Sequence, residues 1–256
     1  MSRNLTVGLL LTFQFFSVIP VKKNLPMEKA QLTAMYMLLP LLGLLFGSVL
    51  ATATLLIRET TDVSSLLLAF VIVTGSIIFT GGLHLDGLAD VGDAYFSYQD
   101  REKRLEIMGD PRIGAFGAMV LFLALAGKII IISETILSVS LWAVVCIPVL
   151  SRIGLMLLFS LTASAKNTGL AAYFQKSADL KRIATAALLW LVIIVAAIAF
   201  LLGWQVAGVF VMTAAIATFV YRQWCRKNFG GVTGDLFGAY VEGMELLLWT
   251  MLLFFI

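Results

Sequence analysis

A chain of 256 residues that is 61% hydrophobic and only 13% charged, with mean hydropathy +1.00, is too apolar for a soluble domain. Its net charge of +3 is too small to mark a nucleic-acid binder, and its two cysteines build no disulfide scaffold. What remains is an integral membrane protein.

The first apolar run, 5–19, ends at Pro20 and is about 15 residues long, short of the roughly 20 a spanning helix needs. It predicts a tucked or interfacial N-terminal helix, and it lacks the basic start and small-residue cleavage site of a signal peptide. Longer apolar runs follow at 35–57, 64–80, 113–132, 138–161, 183–202, 204–221 and 238–256. They predict about seven spans in one all-α, polytopic helical bundle, a single membrane-embedded domain over residues 1–256, since no linker or low-complexity tract divides the chain.

Basic residues alternate between the connections. The segments 21–34, 81–112, 162–182 and 222–237 hold Lys22, Lys23 and Lys29, then Arg101, Lys103, Arg104 and Arg112, then Lys166, Lys176, Lys181 and Arg182, then Arg222, Arg226 and Lys227. The connections on the other side hold only Arg58. The positive-inside rule places the first group in the cytoplasm and the C-terminus outside, in a multi-pass protein of the cytoplasmic (inner) membrane. Within the longest connection, residues 100–108 predict a short amphipathic helix stopped by Gly109, Asp110 and Pro111.

That connection opens with GGLHLDGLADVGD, residues 81–93, which holds the only histidine and three carboxylates directly after an apolar run. Asp86, Asp90 and Asp93 fall at i, i+4 and i+7, one face of a helix, where they repel one another unless a cation sits among them. An all-carboxylate set suits a hard ion such as Mg²⁺, which brings a phosphate-bearing substrate with it. Gly81, Gly82 and Gly87 permit close backbone approach. His84, two residues before Asp86, faces away from the cluster on a continuous helix; it reads equally as a substrate hydrogen bond or a buried structural group, and not as a metal ligand.

Further charges follow. Glu106 reads either as a surface ion pair or as a site residue, and Asp110 and Arg112 occupy a turn at the mouth of a span, where Arg112 clamps either a phosphate or a lipid headgroup. Lys128 and Arg152 lie inside apolar spans and need a partner or a polar cavity. The last basic segment leads into GGVTGDLFGAYVEGMEL, residues 230–246, where Asp235, Glu242 and Glu245 share one broad helix face and Asp235 doubles as a candidate helix cap. Gly230-Gly231 is followed by Asp235 and Glu242 at the same offsets at which Gly81-Gly82 is followed by Asp86 and Asp93. The match predicts two segments facing each other across one cleft, with Asp235 and Glu242 holding a second metal or orienting the nucleophile.

These blocks resemble the adenosylcobinamide-GDP ribazoletransferase, or cobalamin synthase, family. The similarity runs over nearly the whole chain, through FFSVIPV, GGLHLDGLADVGD, REKRLEIMGDPRIGAFG, the pair Ser151 and Arg152, and GGVTGDLFGAYVEGMEL. The resemblance implies an Mg²⁺-dependent enzyme that joins adenosylcobinamide-GDP to α-ribazole or its 5′-phosphate and releases GMP. The residue reading fits that reaction, with Asp86, Asp90, Asp93, Asp235 and Glu242 expected as metal ligands and catalytic roles expected for Asp93 as proton acceptor, for Asp110, Arg112 and Arg152, and for His84. It implies substrate contacts at Gly81, Gly82, Glu106, Lys128, Gly231, Thr233 and Glu245, in an active site facing the cytoplasm. Homo-oligomerisation is left open.

Two other readings compete. A CDP-alcohol phosphotransferase would show Asp-x-x-Asp-Gly-x-x-Ala-Arg, but Leu83 stands at its first aspartate and no arginine follows the Asp86-Gly87 pair. A cation transporter would gather its acids near mid-membrane, whereas these gather on the basic side.

Overall fold

The structure is a computed structural model and describes residues 2–256. Among the described residues there are twelve α-helices and no strand. α1 (Ser2–Phe16) lies against α2 (Lys29–Met37), with Leu11 and Thr12 buried and the Thr12 hydroxyl donating to Met35 O over 2.9 Å. The short first apolar run is therefore tucked against the bundle. α2 and α3 (Leu39–Thr60) make one long stretch with a break at Leu38, where Pro40 sits in the first turn of α3 and its missing N–H goes unneeded.

α4 (Ser65–Thr80) and α5 (Leu83–Phe96) follow, then the short α6 (Arg101–Ile107) and the long α7 (Ala115–Thr135) and α8 (Trp142–Leu161). A short α9 (Leu170–Ser177) precedes α10 (Leu180–Leu201), α11 (Trp204–Asn228) and α12 (Gly234–Leu252). Among the described residues six stretches are long and apolar enough to cross a membrane, and α4 with α5 makes a seventh if a helix bent by 92° counts as one broken span. The expected second span thus differs from the others. α4 alone has 16 residues, about 24 Å of helix and short of the hydrocarbon core.

α8 is the hub. It packs against α3, α10 and α12, and nearly all its side chains are buried. Gly43 and Gly47 of α3 lie directly on the α8 backbone, where a Cβ on Gly43 would sit 2.8 Å from Pro148 O. At one end of the bundle the four basic connections meet. Lys29 pairs with Asp179 at 3.7 Å, Arg104 donates to Asn228 Oδ1 at 3.0 Å, and Ser164 and Val232 form a parallel bridge. α6 is the helix expected at 100–108, capped by the Asp100 carboxylate on the Lys103 N–H.

Candidate active site

The site begins at the bend. Gly81 and Gly82 have φ of 65° and 78°, and their N–H groups reach back to Ile78 O and Ile77 O. This Schellman ending closes α4, and glycine is what tolerates two consecutive left-handed residues there. α5 then starts in a new direction and runs continuously through His84, Asp86, Asp90 and Asp93. It lies antiparallel to α12: Gly87 opposes Asp235, and His84 opposes Gly238. The approach at Gly87 is so close that a Cβ there would sit 2.6 Å from Asp235 O. The absent side chain brings Asp235 beside the α5 carboxylates.

Asp86 is exposed and Asp90 half-buried, and both line a groove of about 660 Å³. Its other walls are mainly apolar, from Phe15 of α1 and Val18 after it, Leu85 on α5, Pro111 and Ile113 in the turn, and Leu121 and Leu125 on α7, with Ser17 and Thr80 as polar members. Asp90 lies in the electrostatic field of Asp86, Asp235 and Asp93, opposed by one cation, Lys166. Asp235 likewise feels Asp86 and Lys166. None of Asp86, Asp90 and Asp235 has an ion pair among the described residues, so negative charge is in excess where the groove meets α12. Lys166 was not singled out from the sequence; it sits in a loop with no motif, and only the fold brings it near.

Asp93 shares the face of Asp86 and Asp90 but is committed elsewhere. Its carboxylate accepts from Gly114 N at 2.6 Å and Gly117 N at 2.8 Å, so it caps the first turn of α7 from another helix. Expected as a metal ligand and proton acceptor, it has both oxygens engaged. Gly114 and Gly117 are needed for this, because a Cβ on either would run into the Asp93 carboxylate.

Deeper in the bundle a second set of charges closes on itself. Lys128 of α7 donates to Glu242 at 2.8 Å and to Glu245 at 2.9 Å, and Arg152 of α8 pairs with Glu245, beside the Ser151 hydroxyl. All four charged side chains are at most 12% exposed. Lys128, Arg152 and Glu245 are therefore spent on one another rather than turned to a substrate. Glu242 parts from Asp235 in the same way: seven residues along α12 separate them by about 10 Å of helix rise. Of the second glycine-led segment, Asp235 lies beside the α5 carboxylates while Glu242 is turned to Lys128. His84 is buried on the α12-facing side of α5, within the field of Arg152, Glu245 and Lys128, and away from the groove.

The remaining candidates lie at the rim or in the packing. Glu106 is exposed and pairs with Lys103 at 2.9 Å, three residues back along α6. Asp110 accepts from Arg112 Nε and Nη2 at 2.9 and 2.6 Å, and the guanidinium holds its carboxyl down at about 2. Arg112 is 86% exposed and stands between the lining residues Pro111 and Ile113. Gly231 is pressed against the 163–165 backbone, and the buried Thr233 caps α12 through Leu236 N, the role the sequence had left open for Asp235. Gly81 and Gly82 both line the groove.

Among the described residues, no three His, Cys, Asp or Glu side chains gather closely enough to enclose a metal. The donor chemistry still fits Mg²⁺, which binds through one or two carboxylates plus waters and substrate phosphates rather than in a closed protein cage. Asp86, Asp90 and Asp235, acidic and unpaired, supply such an open half-site.

Residues 8–253 match the family model described as cobalamin-5-phosphate synthase. A protein of Geobacillus sp. (strain WCH70) named adenosylcobinamide-GDP ribazoletransferase is 37% identical over 248 residues, covering 96% of this chain and 94% of its own. Proteins of the same name from Vibrio cholerae and Halalkalibacterium halodurans are 33% and 32% identical, over 96% and 94% of this chain and 93% of each of theirs. No solved structure matches.

Proposed function

The chain belongs to the cobalamin-5-phosphate synthase family, and we propose that it is an Mg²⁺-dependent adenosylcobinamide-GDP ribazoletransferase whose active site is the Asp86–Asp90 groove. The reading extends to transfer of the adenosylcobinamide-phosphate moiety to α-ribazole or its 5′-phosphate, with release of GMP. It also places the groove on the cytoplasmic face of the inner membrane, where the basic connections meet. The observation that carries it is the uncompensated carboxylate set at the meeting of α5 and α12, in a groove wide enough for a nucleotide-sized ligand.

In the reaction a ribose hydroxyl attacks the phosphorus that carries the cobinamide arm. An O–P bond forms, the bridging O–P bond to GMP breaks, and the hydroxyl proton must be taken up. Asp86 and Asp235 would hold Mg²⁺, which neutralises the diphosphate when bound. Asp90 takes the proton, since both oxygens of Asp93 are engaged by α7. Lys166 lies on the same side as Asp90 and Asp235 and offsets charge on the diphosphate. Arg112 stands at the rim and meets a phosphate by exchanging Asp110 for it.

GMP release from adenosylcobinamide-GDP by protein reconstituted in vesicles tests the reading. Release should need both α-ribazole and Mg²⁺, stop with a chelator and return with added Mg²⁺. Release that continues without the acceptor, or in Asp86→Asn at the wild-type rate, would move the reaction out of this groove.

A further inference from the structure

A second groove, about 470 Å³, lies between α1, α2 and α10, with no residue in common with the carboxylate groove. Its upper rim is polar and basic, with Asn4, Thr33, Lys181, Arg182 and Thr185; its floor is apolar, with Leu5, Ala34, Met37, Ala186 and Leu189. From Lys181 to Leu189 the wall follows α10 for about 12 Å, from the end where the basic connections meet towards the middle of the bundle.

Two hydrogen bonds that join α10 to α2 hold the groove's walls in place. Asp179 N donates to Thr33 Oγ1 at 2.8 Å near the rim, and Trp190 Nε1 donates to Met37 O at 3.0 Å near the floor. Lys181 and Arg182 line the rim, with Lys29 and the acids Glu28 and Asp179 flanking it; Asp179 pairs with Lys29 and Arg182 and leaves Lys181 without a carboxylate partner among the described residues. Below the rim α10 turns Leu188, Leu189, Val192 and Ile193 outward, each more than half exposed, as a lipid-facing surface does.

We propose that this groove binds one anionic phospholipid of the leaflet on the basic side. Its phosphate is held by Lys181 and Arg182, and the upper part of one acyl chain lies along Ala34, Met37, Ala186 and Leu189. Charge selects the occupant: a rim with net positive charge above an apolar slot complements an anionic headgroup joined to a hydrocarbon chain. A zwitterionic lipid brings the same phosphate but also an ammonium that the basic rim repels, and a free phosphate satisfies the rim without the slot.

The test uses purified full-length protein stripped of lipid in a neutral detergent and titrated with phosphatidylglycerol or phosphatidylcholine, with retained lipid read by native mass spectrometry. Wild type should retain one phosphatidylglycerol in preference to phosphatidylcholine, and inorganic phosphate should not displace it. The double variant Lys181→Gln, Arg182→Gln should lose that preference by about tenfold. Thr185→Phe, which fills the slot from an exposed position and leaves the charges, should lower retention of both lipids. Unchanged thermal melting establishes that each variant is folded. Equal retention of the two lipids by wild type, displacement by inorganic phosphate, or unchanged retention in both folded variants would each overturn the proposal.

Discussion

Two sets of acidic residues on α5 and α12 use the same chemistry to opposite ends. Where α5 meets α12, Asp86 and Asp90 at the groove and Asp235 beside them lie within one another's fields, with Lys166 nearby and no ion pair among the described residues. About two turns deeper along α12, Glu242 and Glu245 are matched one for one by Lys128 and Arg152 and shut away from solvent. A self-neutral buried cluster holds helices in register and has nothing left with which to bind. The open set costs stability through repulsion and is relieved only by a ligand that brings positive charge. An ionisable residue inside a membrane helix is by default a functional candidate; here a closed charge balance separates the scaffold from the site.

The largest effect should come from neutralising the open set. Asp86→Asn and Asp235→Asn should each reduce GMP release by about 10³-fold, because charge stabilisation in such sites amounts to several kcal/mol. Melting of the purified variants should stay at or above wild type, since a repulsive charge has been removed. A variant that melts early and turns over normally would reverse the assignment of the two sets.

Breaking the closed set should act on folding first. Lys128→Met leaves two buried carboxylates with Arg152 alone and should cost about 3 kcal/mol or more, read as a lower melting temperature in detergent. Adding Glu242→Gln to it should recover part of the loss. If Lys128→Met melts like wild type while its KM for the nucleotide substrate rises, Lys128 faces a ligand instead.

Asp93 lies between the two behaviours and should show a smaller effect. Asp93→Asn turns one acceptor oxygen into a donor opposite the N–H groups of α7, which should cost about 1–3 kcal/mol of stability. Turnover should fall about tenfold with the Mg²⁺ concentration for half-maximal rate unchanged, a loss of positioning and not of ligation. A large shift in the Mg²⁺ dependence would return Asp93 to the metal.

The smallest effect should be at the rim. Arg112 depresses the Asp110 carboxyl to about 2, so the pair is fully formed above the ordinary carboxylate range and is lost only as pH falls towards that value. Asp110→Asn should leave melting measurably unchanged at neutral pH, because an exposed pair is strongly screened.

Much of the molecule was legible in the sequence because it depends on local pattern. Run length determines the spans, alternating lysines and arginines gather the basic connections at one end, and the i, i+4, i+7 spacing puts Asp86, Asp90 and Asp93 on one helical face. The family blocks, too, are contiguous strings. The 92° turn after Gly81-Gly82 was only half legible: the glycines marked a break, but its angle comes from what α5 packs against.

Which acids are open and which are closed was decided by tertiary structure alone. The Lys128 pairs cross 114 and 117 residues of chain, the Asp93 cap crosses 21 and 24, and Lys166 reaches the groove from a loop with no motif. A carboxylate's role depends on the charge and the N–H groups that meet it in space. No spacing within one helix specifies what the facing helix brings.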